Sequence, residues 1–226
     1  MATNRNRLKA IANPKECPIV GVALTITANR NSHAGIVFRD TQDRVRLLHL
    51  AFHHDLKHEA FNRVEYLCAD PEFDAVDAEI VAAHCRLIAS LAPNINFAIH
   101  HNPAARLKAK GQTVNVEHED KGLNCSTFVL AVFAEAGPPL VDFATWRTRD
   151  TDARWHRFLV ALLKKHAPEA HWKKVEQDIG CARVRPEEVA GACLENPLPA
   201  TFEQCEANGV FALGEVAKHV GRTSIW

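Results

Sequence analysis

The chain has 226 residues, of which 47% are hydrophobic and 24% are charged, and this balance is typical of a folded globular protein rather than a disordered one. Its formal net charge is zero, so it lacks the basic excess that favours binding to nucleic acids or anionic membranes. No run of residues approaches the length of about 20 apolar residues that a membrane-spanning helix requires. We therefore expect no nucleic-acid partner and no integral membrane segment.

The first residues carry positive charge, but no apolar segment typical of a secretory signal follows them at once. The seven cysteines are odd in number and widely spread, with no C-x-x-C pair. This pattern favours reduced thiols over a disulfide framework. We expect a cytoplasmic protein, and export without a cleaved signal stays open.

The first third of the chain predicts an antiparallel sheet. Its β-branched and apolar segments indicate strands at 17–28, 33–40 and 44–52, with a polar connection between the last two that is short enough for a hairpin. A further extended segment is predicted at 64–69.

Two helices and a short strand are predicted in the middle of the chain. The first helix covers 71–92, with Pro71 in its first turn. A strand at 95–100 and a long polar loop with some strand follow, and the second helix then ends at 137–139. The residues that form the apolar stripe of the first helix are Phe73, Val76, Ile80, Val81, His84, Leu87, Ile88 and Leu91.

The last third of the chain is predicted to be mainly helical. Helical patterns occur at 157–164, from Pro186 and at 209–220. We divide the chain into an α+β core, residues 1–145, and a helical extension, residues 146–226, which we expect to pack on the core.

Cys125 begins the second predicted helix, in the stretch "KGLNCSTFVLAVFAEAG" (121–137). Gly122 can interrupt the chain before this helix and Asn124 is a suitable N-cap residue. A helix N-terminus favours the thiolate form of a cysteine, and its unpaired N–H groups can hold an oxyanion. Cys125 is thus a candidate nucleophile, but a cysteine on an apolar helix can also be a simple packing residue.

Two histidines on the predicted hairpin are candidates for the base that the thiol needs. If residues 41–43 form a three-residue loop, Gly35 faces His49, and His33 lies diagonally across from His49 on the same face of the sheet, at a backbone distance of about 7–8 Å. A two-residue loop would place the two histidines on opposite faces. His118 is a rival base, because it is close to the cysteine in sequence.

Three segments, "SHAGIVFRD", "LLHLAF" and "LNCSTFVLAVF", resemble the circularly permuted NlpC-type, papain-like cysteine hydrolases and acyltransferases, a group that includes the lecithin–retinol acyltransferase-like proteins. The resemblance covers residues 17–137. It implies a permuted papain-like core, with an antiparallel sheet packed on the cysteine-bearing helix. It also implies that Cys125 is the nucleophile, His33 the base and His49 the group that orients His33.

Other patterns leave alternatives open. In "HLAFHHDLKHEAF", His54 and His58 have the spacing at which a helix can chelate a metal, so the cluster His53–His58 can be read as a zinc site or as a solvated segment. Three tryptophans in the extension can be core residues or a wall of a substrate cleft: Trp146, Trp155 and Trp172.

The sequence therefore predicts a cysteine-dependent amide or ester hydrolase, or an acyltransferase, that works through an acyl-enzyme on Cys125. Peptides, protein amides and acyl lipids are compatible substrates, no cofactor is expected, and the oligomeric state is left open. The rival functions are a non-catalytic binding module on the same fold and a zinc-dependent hydrolase that uses the cluster His53–His58.

Overall fold

The structure is a computed structural model and describes residues 2–110, 112–117 and 121–225. An antiparallel sheet and several helices make up the fold, so the α+β class is confirmed at that level. The helices are α1 (Ala75–Leu91), α2 (Cys125–Ala136), α3 (Asp152–His166), α4 (Glu169–Glu176), α5 (Pro186–Ala192) and α6 (Phe202–Val220). None of the helices in the described part of the chain has the length and apolar character needed to cross a membrane.

The strands form one large sheet and two small ones. Their bounds are β1 (Ala2–Thr3), β2 (Leu8–Lys9), β3 (Val20–Ile26), β4 (Ser32–Arg39), β5 (Val45–Phe52), β6 (Asp55–Ala60), β7 (Leu67–Ala69), β8 (Arg106–Lys110), β9 (Thr113–Glu117) and β10 (Glu195–Asn196). The six-stranded sheet has the antiparallel order β2-β7-β3-β4-β5-β6, while β8 pairs with β9 and β1 with β10.

The large sheet separates two hydrophobic clusters, because successive side chains of a strand point to opposite faces. Alternate residues such as Val22, Ile36 and Leu48 join a large cluster that also contains the buried residues of the helices. The residues between them, such as Val37 and Leu47, join a small cluster on the other face. The faces are called the large-core face and the small-core face below.

Helix α1 differs from its sequence-based prediction in its start and in its buried face. It begins at Ala75, because Asp74 caps it by accepting hydrogen bonds from two backbone N–H groups, and Pro71 lies outside it. The predicted stripe was wrong in part. Val76 and Ile80 are exposed, and small residues allow the helix to lie close to the rest of the core instead. The buried residues are Ala78, Val81, Ala82, Cys85 and Ile88.

The segment between α1 and α2 also differs from the prediction. Residues 95–100 do not form a strand, and only Phe97 makes an isolated parallel bridge, to Leu123. The polar segment that follows contains the hairpin of β8 and β9. This hairpin lies within the stretch that the sequence indicated only as a loop with some strand.

The C-terminal segment packs directly on the sheet. Helix α5 contacts β3 and β4, helix α6 contacts β3, and strand β10 pairs with β1 near the N-terminus of the chain. The buried guanidinium of Arg7 donates hydrogen bonds to the carbonyl oxygens of Cys193 and Glu195 at 3.2 and 3.3 Å. The division near residue 145 stays a prediction, but these contacts tie the extension to the N-terminal segment and to the sheet of the core.

Candidate active site

The hairpin of β4 and β5 brings His33 and His49 into direct contact. Pairing of Arg39 with Val45, and a hydrogen bond from the Asp40 N–H to the Arg44 carbonyl at 2.9 Å, establish the three-residue loop that the sequence left undecided. Both histidines therefore project from the small-core face. His33 Nε2 lies 2.7 Å from His49 Nδ1, which is a hydrogen-bond distance.

Gly35 provides the space in which the two histidine side chains meet. A Cβ atom at this position would lie 2.9 Å from the Cβ of His49 and 2.9 Å from Cδ1 of Leu47. Both distances are shorter than a normal contact between carbon atoms. The prediction that Gly35 faces His49 is confirmed, and its missing side chain is what allows the diagonal contact with His33.

Cys125 is the first residue of α2, as the sequence predicted. The Asn124 side chain accepts hydrogen bonds from the backbone N–H groups of Ser126 and Thr127 at 3.0 and 3.1 Å, so it is the N-cap. Gly122 precedes it with φ +115°, and a Cβ atom there would lie 2.1 Å from the Asn96 carbonyl oxygen. Glycine is thus required for the close approach of residue 96 to the loop that leads into the helix.

The thiol of Cys125 and the imidazole of His33 line the same cleft, which has a volume of about 250 Å³. Both residues are half-buried. The cysteine lies near the beginning of β4, beyond the last β4–β5 pair, Ile36 with Leu48. The backbone of Ala34, the residue after His33, forms a hydrogen bond that stabilises the thiolate.

The extension supplies one wall of this cleft. Apolar and aromatic side chains form that wall together with the end of β5, whereas the β3–β4 loop contributes polar residues. The apolar lining residues are Phe52, Phe97, Trp155, Phe158, Leu159 and Leu162, and the polar ones include Thr27, Asn29, Asn31 and Ser32. Of the three tryptophans that the sequence suggested for such a wall, Trp155 lines the cleft. Trp146 and Trp172 pack against the large core elsewhere.

Burial favours the neutral forms of the thiol and the imidazole. It is the largest cause that raises the pKa of Cys125 above its ordinary value, while hydrogen bonds from Ala34 and Ser126 act in the opposite direction. Burial also lowers the pKa of His33 to about 4, against the raising effect of the Glu59 carboxylate. The hydrogen bonds at the helix N-terminus act to lower the thiol pKa, as the sequence suggested, but desolvation outweighs them and the net shift is upward.

The N–H groups at the start of α2 are largely occupied. Those of Ser126 and Thr127 bind the Asn124 side chain, and that of Phe128 binds the Asn124 carbonyl oxygen at 2.8 Å. These three N–H groups are therefore not available to bind an oxyanion, although the sequence analysis expected unpaired N–H groups here. The backbone N–H of Cys125 itself is not among the groups that bind Asn124, and it is the candidate donor of this helix for such a role.

His49 has a further neighbour that the sequence did not single out. Its Nε2 atom is buried, has no aligned hydrogen-bond partner in the described part of the chain, and lies 3.4 Å from Oε1 of Glu59 on β6. Burial, followed by the neighbouring His33, lowers the pKa of His49 to about 4, and Glu59 acts in the raising direction. The alternation of side chains along β6, set against the register of the hairpin, is the signal that could have found Glu59.

The histidines of the proposed zinc cluster do not converge. His58 lies on a strand rather than a helix and stacks on Phe38, with ring centroids 5.8 Å apart, while His54 Nε2 bonds to the Asn96 side chain at 2.8 Å. His53 Nδ1 accepts a hydrogen bond from the Phe97 N–H at 3.2 Å. Within the described ranges, no group of three or more potential ligand residues is arranged to hold a metal ion.

The rival base, His118, lies outside the described residues. In comparisons with known proteins, no protein-family model, no curated protein and no solved structure matched this chain. We therefore infer a function from the geometry of the cleft and from the three motifs quoted above.

Proposed function

We propose that the chain is a cysteine-dependent enzyme that cleaves an amide or ester through an acyl-enzyme, and passes the acyl group to water or to another acceptor. Cys125 is the nucleophile, His33 the base and His49 the residue that orients His33. The observation that carries this proposal is the shared cleft of Cys125 and His33, together with the contact of 2.7 Å between His33 and His49. The proposal includes the permuted papain-like fold, since both histidine strands precede the cysteine helix.

The reaction begins from the neutral thiol and the neutral imidazole. As the sulfur of Cys125 attacks the substrate carbonyl carbon, its proton passes to His33, and the carbonyl oxygen becomes an oxyanion beside the Cys125 N–H. The imidazolium of His33 then protonates the leaving nitrogen or oxygen, and a thioester remains on Cys125. Water or another acceptor gives its proton to His33 as it attacks the thioester carbon, the C–S bond breaks, and the imidazolium of His33 returns the proton to the departing sulfur, which restores the neutral thiol and imidazole.

The lining of the cleft supports a substrate with unlike ends. Trp155, Phe158 and Leu162 offer an apolar surface to the substrate, and the polar residues of the β3–β4 loop offer it hydrogen-bonding groups. Small-molecule sites commonly combine an apolar lining with a few polar groups that fix orientation. Peptides, protein amides and acyl lipids with an apolar group next to the carbonyl all fit this description.

Labelling with electrophilic probes tests the proposal. We expect amide- and ester-mimicking probes, used at neutral pH and in limiting amount, to modify Cys125 ahead of the six other thiols. Cys181 is the matched control, because it is the other half-buried cysteine and burial raises its pKa to about 12. Cys125→Ala should abolish labelling and Cys181→Ala should leave it unchanged. A protein that yields no adduct on Cys125 with any probe would contradict the proposal.

A non-catalytic binding module is the second candidate, and the raised pKa of Cys125 is the observation that favours it. A module of this kind would bind an apolar ligand in the cleft without reacting with it. The labelling experiment separates the two functions. Slow and uniform reaction of the described thiols, with Cys125 no faster than Cys181, would favour the module.

A further inference from the structure

We propose that Glu59 is a positioning residue that sets the tautomers of His49 and His33, so that Nδ1 of His33 carries the lone pair that takes the thiol proton. The inference rests on the proposed function of Cys125, since it states which nitrogen of His33 acts as its base. Glu59 lies on a third strand, β6, which is outside the three motifs and outside the pair of Cys125 and His33.

The register of the sheet places Glu59 where it can act on His49. Glu59 pairs with Leu47, which is two residues from His49 on β5, so both side chains project from the small-core face. The carboxylate oxygen Oε1 lies 3.4 Å from Nε2 of His49. A small rotation of the half-exposed Glu59 side chain, which is 51% exposed, brings this contact to hydrogen-bond distance.

No competing group on β6 can take the place of Glu59. Lys57 stands directly opposite His49, but an ammonium group has no lone pair and cannot accept a hydrogen bond from an imidazole N–H. Its Nζ atom lies 3.6 Å from the Asp55 carboxylate instead. The buried Nε2 of His49 is thus left with Glu59 as its nearest charged acceptor, and a buried polar atom without a partner is costly.

The tautomers of His49 and His33 follow from counting the protons along the series Glu59, His49 and His33. A neutral imidazole carries one N–H. If Nε2 of His49 donates to Glu59, Nδ1 of His49 bears a lone pair, and the contact of 2.7 Å with His33 is a hydrogen bond only when Nε2 of His33 donates. The single proton of His33 is then on Nε2, and its Nδ1 is a free base. The pKa values of about 4 for His33 and His49 keep both rings neutral at pH 7.

The opposite order of protons would disable the base. If Nδ1 of His49 donates, Nε2 of His33 must accept, and the one proton of His33 is on Nδ1. That nitrogen then cannot receive a proton from the thiol. The carboxylate of Glu59 stabilises the first arrangement over the second, because it can only accept a hydrogen bond when ionised.

Nitrogen-15 NMR of the histidine rings tests the inference, since it distinguishes a ring nitrogen that carries a proton from one that does not. In the Cys125→Ala protein at pH 7 we expect His33 and His49 each to be protonated at Nε2. Adding Glu59→Ala should mix or reverse these tautomers. Adding Glu59→Gln should largely preserve them, because the amide oxygen can accept the same hydrogen bond. Unchanged tautomers in the Glu59→Ala protein would overturn the inference, as would a proton on Nδ1 of His33 when Glu59 is present.

Asp55→Asn is the matched control, because Asp55 lies on the same strand and its side chain is 48% exposed. It should leave the tautomers unchanged. In proteins that retain Cys125, Glu59→Ala should slow probe labelling by about 10- to 100-fold, the scale of effect of outer partners that orient a metal-binding histidine. Failure of the wild type to label would count against the proposed function, whereas the NMR result tests the role of Glu59 without any turnover.

Discussion

The two faces of the six-stranded sheet differ in what their side chains do. On the large-core face, the central residues of β3, β4 and β5, such as Val22, Ile36 and Leu48, are apolar and fully buried against the helices. On the small-core face, a much shorter apolar cluster shares the surface with His33, His49 and Glu59. The large-core face stabilises the fold, and the small-core face carries the titratable side chains of the candidate active site near the start of strand β4.

Cys125 belongs to both regions. Its helix is anchored in the large core by residues such as Phe128 and Phe133, yet its thiol opens into the cleft beside His33. Because a packed core resists displacement, it holds the sulfur in a fixed position relative to the hairpin. The comparison thus predicts that substitutions on the two faces affect different measurements.

The largest effect is expected from His33→Ala, which removes the base and leaves the large core intact. The rate of the reaction or of probe labelling should fall by about 10³-fold or more, as for other bases that act as a unit with their nucleophile. Thermal unfolding should change little. His58→Ala is the control, because His58 stacks on Phe38 outside the cleft and its removal should leave the rate unchanged.

Phe128→Ala on the large-core face is expected to affect mainly stability, whereas His33→Ala affects mainly the rate. Phe128 is fully buried in α2, so its truncation leaves a cavity and should lower the free energy of unfolding by about 3–5 kcal/mol. Urea denaturation measures this loss. Val210→Ala, at a side chain that is 71% exposed, should change stability by less than about 0.5 kcal/mol. An equal loss in both variants would mean that α2 does not anchor the core.

Gly35→Ala should affect both stability and labelling, because its methyl group would lie 2.9 Å from atoms of both His49 and Leu47. Overpacking of this kind costs about 1–3 kcal/mol of stability. It should also displace His49 from His33 and slow labelling of Cys125. Gly214→Ala on α6 is the control, since a Cβ atom there meets nothing within 4 Å. Normal labelling by Gly35→Ala would show that the contact between the histidines is not needed.

The sequence was sufficient where local patterns decide the structure. The alternation along 33–40 and 44–52 predicted the hairpin, and the spacing of Gly35 and His49 predicted the face that the histidines share, given a three-residue loop. Asn124 predicted the start of α2, because capping depends on a single residue and the backbone beside it.

The sequence was insufficient where distant segments meet. The wall formed by Trp155 depends on where α3 packs, and no local pattern determines that position. Burial of the thiol likewise arises from tertiary packing, so the raised pKa of Cys125 could not be read from its place at a helix N-terminus. In α1, the exposed Val76 and Ile80 show that apolar spacing alone does not identify the buried face when small residues permit closer packing.

The smallest expected effect is a change in the free energy of unfolding with pH. In the folded protein burial depresses the pKa of His33 and of His49 to about 4, from an ordinary value of 6.5. Between these two values the unfolded chain binds more protons than the folded one, so stability is fully present above about pH 6.5 and is lost as the pH falls towards 4. We expect the free energy of unfolding, measured in urea, to decrease over this interval.

His49→Gln should make that decrease less steep, because the variant removes one group whose proton binding differs between the two states. Glutamine keeps a polar side chain at a position where the histidine is 6% exposed, so the fold should be retained. An unchanged urea m-value would indicate that the variant exposes the same surface on unfolding as the wild type. The same pH slope in the variant and the wild type would mean that His49 is already solvated in the folded protein, and that the small-core face is more open than its contacts indicate.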